Sequence, residues 1–63
     1  MNDGSIRSGD VFSKFSKTVV CLEKIEESWS CEAWDGTKYN GPITILERTL
    51  YSDYTFERNI FDI

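Results

Sequence analysis

Histidine is absent from this 63-residue chain. With it go the commonest general base, the commonest metal ligand and the usual charge switch near neutral pH. A serine or cysteine nucleophile has no imidazole to activate it. Only two cysteines occur, Cys21 and Cys31, too few for a four-sulfur zinc site. Neither a metal nor a cofactor is expected. Glycine is sparse: Gly36 and Gly41 stand singly beside turn-forming partners, and no glycine-rich phosphate loop is present. No run approaches the about 18 apolar residues of a membrane-spanning helix. The stretch Met1-Asn2-Asp3-Gly4-Ser5 is polar and does not read as a secretory signal. The two cysteines are therefore expected to be reduced, buried thiols of a cytoplasmic protein.

What remains is a small globular composition. Hydrophobic residues make up 40%, aromatics 14% and charged residues 29%. That is too apolar for a disordered chain. A chain this short buries only about 60% of the surface its unfolded form exposes, so two domains or a deep enzyme cavity are excluded. A disordered polar leader is expected over residues 1–8, and a single small β-barrel domain over 9–63.

The local pattern is that of short strands. Residues 10–15 carry Val11, Phe12 and Phe15 and read as a first strand. Thr18-Val19-Val20-Cys21-Leu22 is rich in β-branched residues and reads as a second, reaching about Ile25. After the polar turn Glu26-Glu27, the run from Ser28 to Trp34 alternates strictly. Trp29, Cys31 and Ala33 share one face; Ser28, Ser30, Glu32 and Trp34 share the other. Asp35-Gly36 predicts a type I′ hairpin turn, which needs positive φ at both central residues. That turn sets Trp34 opposite Thr37 and Glu32 opposite Tyr39. Asn40-Gly41-Pro42 reads as a break, followed by a strand at Ile43–Leu46. A helical turn is expected near 47–51 and a last strand near 54–60. The apolar end Ile60-Phe61-Asp62-Ile63 is expected to pack on the body or on a partner. Five short antiparallel strands at this length predict an all-β fold, a small SH3-like barrel.

The succession Gly9-Asp10-Val11, Thr18-Val19-Val20 and Trp29-Ser30-Cys31-Glu32-Ala33-Trp34-Asp35-Gly36 resembles the small bacterial proteins of the YodC-like type over residues 9–38. The resemblance implies an SH3-like barrel. It carries no functional residue across. The chain departs from the pattern by one extra residue between Cys31 and Trp34.

Charge is unevenly placed. The whole chain carries −4. Residues 23–35 hold Glu23, Glu26, Glu27, Glu32 and Asp35 against Lys24 alone, which matches the entire imbalance. An acidic hairpin tip serves solubility and edge protection in many small β proteins. It also suits docking on a partner with a basic surface. Trp34 is expected on the face away from the core, either as an exposed aromatic of the kind enriched at binding hot spots or packed under the C-terminal segment, covered by Phe56 or Phe61. The expected function is a non-enzymatic protein-binding module, in one version a phage or mobile-element inhibitor of a host protein. Its candidate contacts are Glu23, Glu26, Glu27, Glu32, Trp34, Asp35, Tyr39 and Tyr51. One alternative is a homo-oligomer through Ile60, Phe61 and Ile63. The other is a barrel that binds single-stranded nucleic acid through aromatics and a local cluster of Lys14, Lys17 and Lys38. Eleven acids against seven bases oppose that second alternative.

Overall fold

A computed structural model of the chain describes residues 5–62. Five strands and one helix follow in order: β1 Asp10–Lys14, β2 Lys17–Ile25, β3 Ser28–Asp35, β4 Lys38–Leu46, α1 Glu47–Asp53 and β5 Thr55–Asn59. All pairings are antiparallel, in one sheet ordered β4-β3-β2-β1-β5. The expected five-stranded β fold with a short helix is present. The sheet is not closed: β4 and β5 are its two edges.

The alternation in β3 does what its pattern dictates. Trp29, Cys31 and Ala33 are buried, while Ser28, Ser30, Glu32 and Trp34 are half-buried on the opposite face. Val19, Cys21, Phe12 and Ile45 join the inner face, and Leu50 of α1 closes it. Leu50 is completely buried and is the helix's anchor. Cys21 and Cys31 are register partners with their sulfurs 3.9 Å apart, both buried and both free thiols. Their shared hydrogen bond, then burial, push the Cys21 thiol far above its ordinary range.

Two sequence expectations fail at the β3–β4 hairpin. The two-residue loop is Gly36-Thr37, with Asp35 facing Lys38 and Trp34 facing Tyr39. Gly36 has φ +64°, and neither Asp35 nor Thr37 has positive φ, so the turn is not type I′. The segment Asn40-Gly41-Pro42 does not break the chain either. It lies within β4, where Asn40 is the extra residue of a bulge and Gly41 takes φ +100°. Pro42 is tolerated because β4 is an edge strand, whose outer side needs no ladder N–H.

A third difference concerns the leader. Residues 1–4 lie outside the described residues, but Ile6 is 7% exposed and belongs to the core. The Gly9 N–H donates to the Cys21 carbonyl at 2.7 Å, and the Ile60 N–H donates to the Gly9 carbonyl at 2.9 Å. Among the described residues, Asp10 and Asn59 are the two buried polar ones. Asn59 Nδ2 donates to Asp10 Oδ1 at 2.7 Å and to the Ser8 carbonyl at 3.0 Å. The Phe61 N–H donates to Asn59 Oδ1 at 2.8 Å, and the Arg7 N–H donates to Asp10 Oδ2 at 2.9 Å. No buried side-chain nitrogen or oxygen of this knot lacks a hydrogen-bond partner, which is what its burial demands. It ties the start of the domain to its end.

The β1–β2 turn places an aromatic residue at the left-handed first loop position that Glu26 and Gly36 fill in the other two hairpins. Phe15 takes φ +57° and is 97% exposed. A bulky side chain in the left-handed region costs about 1–2 kcal/mol, and nothing is gained by burial here. Phe15→Gly removes that cost, less about 0.5–1 kcal/mol of added freedom in the unfolded chain. The variant should therefore melt a few degrees higher, by roughly 3–6 °C in a domain of this size, as read by circular dichroism. An unchanged or lower melting temperature would show that Phe15 is held by packing.

A candidate binding face on strands β2 to β4

The register places side chains on the outer face in a fixed order. Thr18, Val20, Glu32, Trp34 and Tyr39 share it on the side of the Gly36 turn. A bulge at Leu22 then flips the parity of β2. Beyond it Glu23 faces Ser30, and Ile25 faces Ser28, itself opposite Leu46. Lys24 is thereby turned to the inner side, where it meets Glu47. The outer positions of β2, β3 and β4 thus hold Glu23 and Glu32 and no lysine or arginine.

Two apolar clusters bracket those acids. At one end the Trp34 and Tyr39 rings lie 5.3 Å apart with planes at 59°. The Tyr39 hydroxyl is pushed to higher pKa by partial desolvation and by its hydrogen bond with Glu32. At the other end Ile25 and Leu46 flank the small Ser28 and are 50% and 41% exposed. Leu22 at the bulge is also exposed. From Ser28 to Trp34 the face runs about 20 Å at roughly 3.3 Å per residue. Trp34 is not covered by the C-terminal segment. Phe56 instead packs edge-on against Phe12, and the Phe61 ring lies beside Gly9.

The sequence-derived contact residues are therefore only partly brought together. Glu23, Glu32, Trp34 and Tyr39 share one face. Glu26 and Glu27 form the turn at its far end, Glu26 with φ +57°. Asp35 sits at the opposite end, accepting a hydrogen bond from the Ser16 hydroxyl at 3.0 Å and facing Lys17 and Lys38 across the strands. Tyr51 belongs to α1, on the inner side of the sheet. There it lines a cleft of about 300 Å³ with Ile6, Phe12, Leu50, Tyr54 and Phe56. Sequence reading missed this cleft, because its walls come from the leader, β1, the helix and β5. Ile60 and Phe61 are exposed, while Asp62 pairs with Arg7 at 2.9 Å. Ile63 lies outside the described residues.

Glu47 shows how the inner side is pinned. It accepts from Trp29 Nε1 at 3.0 Å and from Lys24 Nζ at 3.2 Å. The indole hydrogen bond, then the lysine, hold its carboxyl below the ordinary value of 4.5, against an opposing effect of burial. A depressed folded pKa stabilises above the unfolded pKa and is lost as pH falls through the folded one. Wild-type stability should therefore drop between about pH 5 and pH 3, and Glu47→Gln should flatten that part of the curve. Urea melts of both proteins across this range check it; equal slopes would count against the Glu47 contribution.

Among the described residues, no group of three or more histidine, cysteine, aspartate or glutamate side chains is placed to hold a metal ion. No helix among the described residues is long and apolar enough to cross a membrane. Comparison with known proteins brings no matching family model, no matching curated protein and no matching solved structure.

Proposed function

We propose that the chain is a non-enzymatic protein-binding module whose partner presents lysine or arginine beside an apolar residue. The observation that carries this reading is the outer face of β2 to β4. It sets Trp34–Tyr39 and Ile25–Leu46 around Glu23 and Glu32, with no cation among them. Exposed aromatic and aliphatic groups in one patch are costly to leave in water and supply contact area to a partner. The two acids supply register and attract positive charge. Glu26 and Glu27 extend the same negative field past the end of the strands.

The strand order, with the helix connecting the two edge strands, suits an opened small barrel of the SH3-like kind. The chain acts by occupying a partner's surface, and no step of bond chemistry is assigned to it.

The test is affinity capture from the source lysate by wild-type protein and by Trp34→Ala and Glu23→Lys/Glu32→Lys variants. Both variants should fold, since these side chains lie outside the core. The captured protein should be lost from both variants and eluted from wild type by salt, with binding reproduced by the purified pair. Retention of the same protein by the charge-reversed variant would sink this assignment of the face.

A further inference from the structure

The end of the sheet opposite Glu26 and Glu27 has a different chemistry. The β1–β2 turn brings Lys14, Phe15, Ser16 and Lys17 beside Asp35 and Tyr54 around a recess of about 250 Å³. The Lys14 ammonium stands 5.6 Å above the centre of the Tyr54 ring. Lys38 of the neighbouring hairpin lies across from Asp35, which itself lies across from Lys17. Phe15 projects from the tip, 97% exposed, in the left-handed backbone region. Exposure and backbone strain at one bulky residue both work against folding. Glu26 holds the same backbone conformation in the next turn; what sets Phe15 apart is a bulky apolar side chain there with nothing packed on it.

We propose that this tip binds single-stranded nucleic acid. A base stacks on Phe15 in the recess bounded by Tyr54, and the adjoining phosphates meet Lys14, Lys17 and Lys38. Aromatic platforms beside cations bind single strands in this way, because every base offers a π-face. The recess separates this reading from insertion into a lipid surface. A bilayer needs only a protruding apolar tip, whereas here Phe15 borders a recess of about 250 Å³ that Tyr54 also lines. Asp35 in the lining repels lipid and backbone phosphates alike, but its carboxylate suits the exocyclic amino group of a cytosine.

The chain's overall charge does not forbid it. Lys14, Lys17 and Lys38 stand at this end against Asp35, Asp53 and Glu57, the last bonded to Ser13 beside Lys14. This end is therefore balanced where the chain as a whole is acidic. Glu32 lies about 10 Å along β3 from Asp35. Glu26 and Glu27 lie past the other end of a nine-residue strand, and Glu23 is two residues short of that end. The strand's length is about 26 Å at roughly 3.3 Å per residue. It exceeds the Debye length of about 10 Å at 0.1 M salt. Counting charges over the whole chain averages two ends that a polyanion meets separately.

The site is distinct from the β2–β4 outer face, so the two can fail independently. The probe is a short fluorescein-labelled oligo-deoxycytidine, titrated with full-length protein between about 50 and 200 mM salt. Binding is expected with a log–log salt slope of about −2, from three neutralised phosphates at about −0.7 each. Amide shifts on binding should centre on Lys14 to Lys17, Lys38 and Tyr54. Phe15→Gly, which relaxes the turn, should melt at least as high as wild type and lose about tenfold in affinity. Lys17→Glu should lose at least as much. The proposal is overturned by no binding at the lowest salt, by unchanged affinity in Phe15→Gly, or by shifts confined to the Trp34 face. Phe15-dependent sedimentation with phosphatidylserine vesicles, without oligonucleotide binding, would assign the tip to lipid and overturn it equally.

Discussion

Trp29→Ala is expected to unfold the domain at ordinary temperature. The indole is 5% exposed and sits on the inner face between Lys24 of β2 and Ile45 of β4. Its Nε1 also donates to Glu47, the first residue of α1. Truncating a buried tryptophan costs about 3–5 kcal/mol. A chain of this length has roughly 3–9 kcal/mol to lose. The substitution removes both the largest core side chain and the hydrogen bond that joins the helix start to the sheet. Trp34→Ala, on the opposite face of the same strand, should cost only about 1 kcal/mol, the scale of one aromatic pair. Equilibrium urea melts of the two variants check this, and the reverse order would mean that the two faces of β3 are exchanged.

Asn59→Ala comes second, with a cost of about 3 kcal/mol. The loss follows from leaving Asp10 buried without its side-chain donor. Asp10 is 4% exposed and accepts from Asn59 Nδ2 at 2.7 Å. Alanine also removes the donor to the Ser8 carbonyl and the acceptor for the Phe61 N–H. In amide hydrogen exchange, protection should fall at Gly9 and Ile60 before it falls at Cys31. The double variant Asp10→Ala/Asn59→Ala should cost less than the sum of the two single changes, because both remove one interaction. Strict additivity would mean that the two side chains stabilise the fold separately.

The second of these effects was not legible beforehand, and the reason is separation along the chain. Asp10 and Asn59 are 49 residues apart. Each taken alone reads as an ordinary polar residue near a chain end. Ile6 was misread for the same reason. A lone apolar residue in a polar segment gives no periodicity, and its burial depends on a core built by later strands. The β3 faces were legible because strict alternation over seven residues needs no tertiary information. Tyr39 was placed on the correct face although its partner was misassigned. Moving a two-residue loop by one position shifts the register by two, which keeps Tyr39 on the same face. The bulge at Asn40 acts only beyond it, where it sets Ile43 opposite Cys31 and Ile45 opposite Trp29.

The acidic segment teaches a different point. Along the chain, Glu23 to Asp35 look like one block. In the sheet they divide among a turn, an outer face and the opposite end, because a strand separates its ends by about 26 Å over nine residues. Lys14, Lys17 and Lys38 undergo the converse. They are scattered in sequence, and the hairpins gather them at one end. Tyr51 was expected beside Trp34, but the helix carries it to the inner side, where it lines the cleft with Phe12 and Phe56.

Alternation, β-branching, turn residues and the absence of histidine determined the strand content, the inward tryptophan and the chemistries out of reach, since each acts within a few residues. Tertiary structure alone decided whether the sheet closes, which charges share a surface, and how the two ends of the domain are tied. Those outcomes rest on contacts between segments that carry no trace of one another in their local pattern.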